Sequence, residues 1–204
     1  MVFSVSTEAP AGDSEVTRKS ANISFIRVIR VQISNKLHLL MTHKQQILQV
    51  LEKETAICKR LWTLIPQNLL NYAPIEGMRT TIELLKYMTW CSGSCVENYM
   101  ETDAERLKTL YQRNENYGDT MKFEDFSARM DEQMEKIRNL LAGITDDELL
   151  TKKVNLPWRE TTTLGEALME TSLKWMTAYK MQLFLYLRMN GLEVDTGDCW
   201  IMTE

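Results

Sequence analysis

Few residues in this 204-residue chain could do chemistry, and the cysteines come first. Cys91 and Cys95 stand four apart, so on a helix both thiols share one face. Such a pair could ligate a soft metal ion or take part in redox chemistry. Two thiolates fill only half of a tetrahedral shell, with Glu54 and Cys199 as remote candidates for the rest. Nor is the spacing that of a redox Cys-x-x-Cys. Cysteine packs as a small hydrophobe, so core packing is the expectation for both. With Cys58 and Cys199 they are expected to be reduced thiols, because residues 1–40 lack a basic start followed by an apolar stretch. Histidine occurs only at positions 38 and 43, so a general base of the usual kind is missing from the rest of the chain. Glu54 falls on or beside an apolar stripe; it is expected at the stripe's edge with its head in water, a pocket carboxylate being the other reading. No glycine-rich phosphate loop, Ser-His-Asp set or paired acid motif occurs.

The elements that position these residues are helical. Eight glycines and four prolines are about half the usual share for this length, so turns are few and elements long. The longest uncharged apolar runs are too short to span a membrane. A net charge of −4 argues against a nucleic-acid partner, which selects a basic face. A cytoplasmic protein is expected.

Four helices are predicted. The first covers 42–64, with Thr42 as cap, the stripe Ile47, Val50, Leu51, Ile57, Cys58, Leu61 and Leu64, and Pro66 beyond its end. The second covers about 78–101 and carries the small run Ser92-Gly93-Ser94, where a neighbour can approach closely. A long polar connection, 102–122, leads to the third at 123–142, striped by Phe123, Phe126, Met130, Met134, Ile137 and Leu141. Residues 152–158 are predicted extended before Pro157. The fourth runs from Thr163 to Asn190, with the seam Leu164, Leu168, Ser172, Trp175, Tyr179, Leu183 and Tyr186. Such seams predict an all-α four-helix bundle.

Residues 1–40 differ from the rest. They are aperiodic and rich in small residues up to Ala21, and Ser24–Ile33 alternates like a strand with no partner. Five basic residues against three acidic ones make this stretch +2 and leave −6 for the remainder. The expected organisation is a poorly structured or non-native extension, 1–40, with Met41 as a plausible start, and a bundle domain, 41–204.

Three stretches together resemble the DinB/YfiT-like family: IPQNLLNYAPIEGMRTTIELLKYMTW (65–90), ITDDELLTKKVNLPWRETTTLGEALME (144–170) and AYKMQLFLYLRMNG (178–191). The resemblance covers about 42–200 and implies an up-down-down-up bundle, whose long crossover between helices two and three 102–122 can supply. It also implies a divalent metal on three histidines, in relatives that act as thiol transferases and isomerases. Here those three positions hold Tyr87, Trp175 and Tyr179, so no metal and no cofactor is expected. The candidate pocket is therefore Tyr87, Trp175 and Tyr179, flanked by Glu54, Cys91, Cys95 and Ser172, with no catalytic residue assigned. The leading expectation is a non-catalytic bundle that binds a small-molecule ligand or serves a structural role as a homodimer. The alternative is a thiol transferase or hydrolase-type enzyme using Tyr, Cys or Glu in the same cavity.

Overall fold

The computed structural model describes residues 41–158 and 160–200. The expectations for residues 1–40, including the Ser24–Ile33 strand and His38, concern a stretch outside the described residues, which begin at Met41.

Helix α1 (His43–Thr63) begins at a reciprocal capping box, Thr42 accepting from the Gln45 N–H while the Gln45 side chain accepts from that of Thr42. The second predicted helix is two: α2 (Thr81–Met88) and α3 (Cys91–Met100). Its start moves from 78 to 81 because Thr80 and Glu83 form another capping box. The break at Thr89–Trp90 is bridged by a buried amide: Gln133 Nε2 donates to the Met88 carbonyl at 3.0 Å, and Gly93 N–H donates to Gln133 Oε1 at 3.0 Å.

The largest departure from the sequence reading is the connection 102–122, which folds as helix α4 (Ala104–Asp119). Asp103 caps it, its Oδ1 accepting from the N–H groups of Glu105 and Arg106. Most of this helix is polar, and Leu110, Asn114 and Gly118 form its buried line. Gly118 permits the contact, since a Cβ there would lie 2.5 Å from the Trp90 ring.

Helix α5 (Phe126–Leu141) buries Phe126, Met130, Met134, Ile137 and Leu141 as its stripe predicts. A short helix α6 (Asp146–Thr151) leads to an antiparallel pair, β1 (Lys153–Asn155) and β2 (Thr161–Thr163), in register Val154 opposite Thr162. The fourth long helix starts as α7 (Leu164–Leu168), widens into a π-turn segment (Met169–Leu173) and continues as α8 (Lys174–Met189). Gly191, at φ 78°, ends it, and a last short helix, α9 (Thr196–Trp200), follows.

Side-chain pairs fix the directions. Lys44 reaches Ile144, Glu52 pairs with Arg138 and Lys59 with Asp131, so α1 and α5 are antiparallel. Gln133 meets Gly93 and Lys136 meets Glu97, so α3 and α5 are parallel. Arg79 meets Tyr186, Tyr87 meets Tyr179 and Ser92 meets Ser172, so α2–α3 and α7–α8 are antiparallel. The bundle is all-α apart from the β pair, with up-down-down-up order, and α4 is the crossover that this order requires. No helix among the described residues is long and apolar enough to cross a membrane.

Burial corrects three expectations. Val50 and Leu64, assigned to the apolar stripe of α1, are exposed. Glu54 is not at a wet edge: it is buried, with Oε2 2.8 Å from Nζ of Lys180, a lysine with no exposed surface. The ring of Trp200 lies 4.0 Å from the same ammonium, and Asp198 ties α9 to Arg60 of α1 at 2.5 Å. Outside this pair, neither Glu54 Oε2 nor Lys180 Nζ has a hydrogen-bond partner among the described residues.

Candidate functional site

The positions singled out in sequence divide between three places. Tyr87 and Trp175 line one cavity of about 270 Å³, and Cys91 and Cys95 lie in its wall. Tyr179 stands behind Tyr87, with ring centroids 4.9 Å apart in edge-to-face geometry. Ser172 is elsewhere. Its Oγ donates to the Ser92 carbonyl at 2.9 Å while Ser92 Oγ donates to the Ser172 carbonyl at 2.7 Å, a reciprocal clamp between the π-turn and α3. Glu54 lies in the core with Lys180 and does not line the cavity.

The cavity's far wall comes from elements that the sequence did not mark. Crossover helix α4 contributes Leu107, Leu110 and Tyr111, and the β1–β2 connection contributes Pro157. Trp90, at the break between α2 and α3, completes the aromatic lining. Its ring packs edge-on against Tyr87 at 4.8 Å and Tyr111 at 5.3 Å. The turn signal for α4 was readable: Asp103 followed by a helix-compatible run, with Leu107, Leu110, Asn114 and Gly118 three or four apart. Its overall polarity masked that face.

Electrostatically the cavity is quiet, because no charged side chain lines it. Burial pushes the Cys91 thiol up to about 12, and burial together with the Cys91 neighbour lifts Cys95 well above the usual thiol range. Burial likewise drives the Tyr87 phenol far upward, with Cys91 and Tyr179 adding to the effect and Arg79 opposing it. The Arg79 guanidinium lies 4.0 Å from the Tyr87 ring centroid, on the side facing a separate polar cleft. Tyr99, also in the wall, donates its hydroxyl to Thr171 at 3.2 Å and is raised by burial too.

Two phenols and an indole do not fit a divalent metal. Indole nitrogen has no lone pair to give, and the Tyr87 phenol is held neutral. His43, the one histidine among the described residues, is exposed at the start of α1. Among the described residues no three His, Cys, Asp or Glu side chains converge as metal ligands.

A second cavity, about 300 Å³, opens on the other side of Trp90 between α3, α4 and α5. Its charged groups are committed to one another: Lys136 bonds Glu97 at 2.5 Å, Arg113 also pairs with Glu97, and Asn114 donates to Glu97 at 3.2 Å. Burial works against the ionised Glu97, but the Lys136 and Asn114 bonds prevail and hold its carboxyl below the usual range.

With helix order, crossover and cavity in place, the class is clear: the chain has the DinB-like four-helix-bundle fold. A crystal structure of a DinB-like protein from Bacillus subtilis matches with a TM-score of 0.55 and 20% identity, over 74% of this chain and 95% of that one. A candidate DinB-family member from Exiguobacterium sibiricum gives a TM-score of 0.55 and 18% identity, over 74% of this chain and 97% of that one. No protein-family model matches the chain, and no curated protein matches it by sequence.

Proposed function

We propose that this protein is a non-catalytic DinB-like bundle that binds a small organic molecule in the cavity between α2–α3, α4 and α8. The observation that carries the reading is the cavity wall: about 270 Å³ of space, aromatic on several sides, without a charged side chain. A general base or nucleophile must exchange a proton near neutral pH. Burial keeps Cys91, Cys95 and Tyr87 protonated there, which speaks against the alternative of a transferase or hydrolase acting through those groups. Glu54, the remaining candidate base, is engaged by Lys180 outside the cavity. A homodimer belongs to the same reading; the exposed Val50, Leu150 and Met169 surround a groove that a second copy would cover.

Thermal unfolding tests the proposal. A bound molecule at about 100 times its Kd adds about 2.7 kcal/mol of stability, a shift of several degrees. Neutral small organic compounds are expected to produce such a shift, and micromolar Zn²⁺ or Ni²⁺ to produce none. A saturable metal-induced shift, lost on Cys91→Ser or Cys95→Ser, would refute the reading, as would turnover of a small-thiol substrate. Sedimentation velocity reports the dimer.

A further inference from the structure

Resting on that reading of the cavity, we infer its ligand class: an uncharged, planar compound of one or two rings bearing a hydrogen-bond acceptor. Size sets the first limit. An apolar cavity of about 150 Å³ admits benzene, and the space here, about 270 Å³, suits a two-ring system better than a single small ring. It is too small for the nucleotides and long chains that fill larger clefts.

Charge sets the second limit. An ion entering this cavity would leave water without meeting an opposite charge, because no Asp, Glu, Lys, Arg or His lines it. The titratable groups in the wall cannot compensate, since burial holds the Cys91 thiol and Tyr87 phenol neutral. Arg79 does not line it either; its guanidinium, 4.0 Å from the Tyr87 ring centroid, lines a separate cleft.

Shape and hydrogen bonding give the rest. Tyr87, Trp90 and Tyr111 hold one another edge-to-face, which fixes their rings as a preformed aromatic wall for a flat guest. Inside, Tyr99 is bonded to Thr171 and the Cys95 thiol to the Cys91 carbonyl at 3.3 Å, so these offer little to a guest. The Asn98 amide and the Tyr111 hydroxyl, both on exposed residues of the wall, have no partner among the described residues and can donate to a guest, and Trp175 adds a third donor. It is half-buried in the cavity wall, and its indole N–H has no protein partner among the described residues. Indole nitrogen only donates, so what completes it is an acceptor.

The test is a pair of probes on the full chain: coumarin, neutral with a carbonyl acceptor, and coumarin-3-carboxylate, an anionic derivative of the same ring system. Binding is read by calorimetry, together with the indole N–H resonances of isotope-labelled protein. Coumarin is expected to bind and to shift the Trp175 indole signal, with the carboxylate weaker by about tenfold or more. Leu110→Trp, which fills the space from α4, should abolish coumarin binding; should that variant fail to fold, Leu107→Trp at a half-buried position serves instead. Trp175→Phe leaves a smaller aromatic ring without the donor and should weaken coumarin several-fold but naphthalene, which has no acceptor, less; equal losses for the two would count against the acceptor. If the carboxylate binds as tightly as coumarin and the cavity-filling variant blocks both, the cavity reading stands and the ligand class is wrong. Coumarin binding that survives cavity filling, or failure of coumarin and of unsubstituted naphthalene and quinoline alike, overturns the cavity reading itself.

Discussion

Replacing Lys180 tests how the bundle tolerates its buried charges. Lys180 has no exposed surface, and Glu54 is 8% exposed with its Oε2 2.8 Å from the ammonium. At an effective dielectric of about 20, that separation corresponds to about 6 kcal/mol of attraction. Desolvation opposes it by several kcal/mol per ion, so the pair as a whole contributes little net stability. Here the opposition is strong, because neither charged atom has another hydrogen-bond partner among the described residues, and the Trp200 ring and the neutral Cys58 and Cys199 thiols are near the pair. Removing one partner is a different matter. Lys180→Met strands the carboxylate in the core and is expected to cost about 3–5 kcal/mol. For a chain of this size that lowers the melting midpoint by roughly 6–20 °C. The double variant Glu54→Met, Lys180→Met removes both charges while roughly keeping volume. It should be more stable than either single variant and close to, or above, the parent. Urea denaturation followed by circular dichroism supplies the double-mutant cycle. Single variants each within about 1 kcal/mol of the parent, or a double variant that loses the sum of the singles, would refute the account.

Further expectations concern backbone fit, thiols and the placement of the site. Gly118→Ala sets a Cβ 2.5 Å from Trp90 and 3.0 Å from the Lys86 carbonyl, so α4 must shift; a loss of about 1–3 kcal/mol and weaker ligand binding are expected in denaturation and calorimetry, and an unchanged midpoint would refute the close contact. Burial raises Cys91 to about 12, so the unfolded chain releases this proton first; the stability that Cys91 carries should be fully present below about pH 9 and fall by about 1.4 kcal/mol per pH unit from there towards 12, with Cys58 and Cys95, also raised by burial, adding slopes of the same sign. Cys91→Ala should remove about one proton's worth of the total slope in pH-dependent urea titrations, and an identical slope in the variant would count against it. Tyr87→His, Trp175→His and Tyr179→His together should create zinc affinity absent from the parent, because Tyr87 lies against Tyr179 and shares a cavity wall with Trp175. A triple variant that folds yet binds zinc no better than the parent would show that the three positions do not converge.

The sequence by itself determined the features that depend on near neighbours in the chain. The stripe from Phe126 to Leu141, the Thr42 cap and the Gly191 stop all follow from spacings of a few residues, and all are present. That histidine stands only at positions 38 and 43 is likewise read from sequence alone. What required the tertiary structure was which surfaces meet. Nothing local separates Lys180 from any solvated helical lysine; it is buried because α1 brings Glu54 opposite and Trp200 covers the pair. Glu54, read as an edge residue, is a core residue for the same reason, and Val50 is exposed at the rim of the groove that it shares with Leu150 and Met169. The polar stretch 104–119 carries a local helix signal in its Asp103 cap, but that Leu110, Asn114 and Gly118 form its buried line against Trp90 and α3 is a tertiary fact. The cavity is therefore a tertiary product: Tyr87 and Trp175 were legible from sequence, whereas Leu107, Leu110, Tyr111 and Pro157 are brought to it by the crossover and the β pair. Local periodicity fixes which face of a helix is apolar, but burial of a given side chain depends on the element across from it, and that is set by packing between distant parts of the chain.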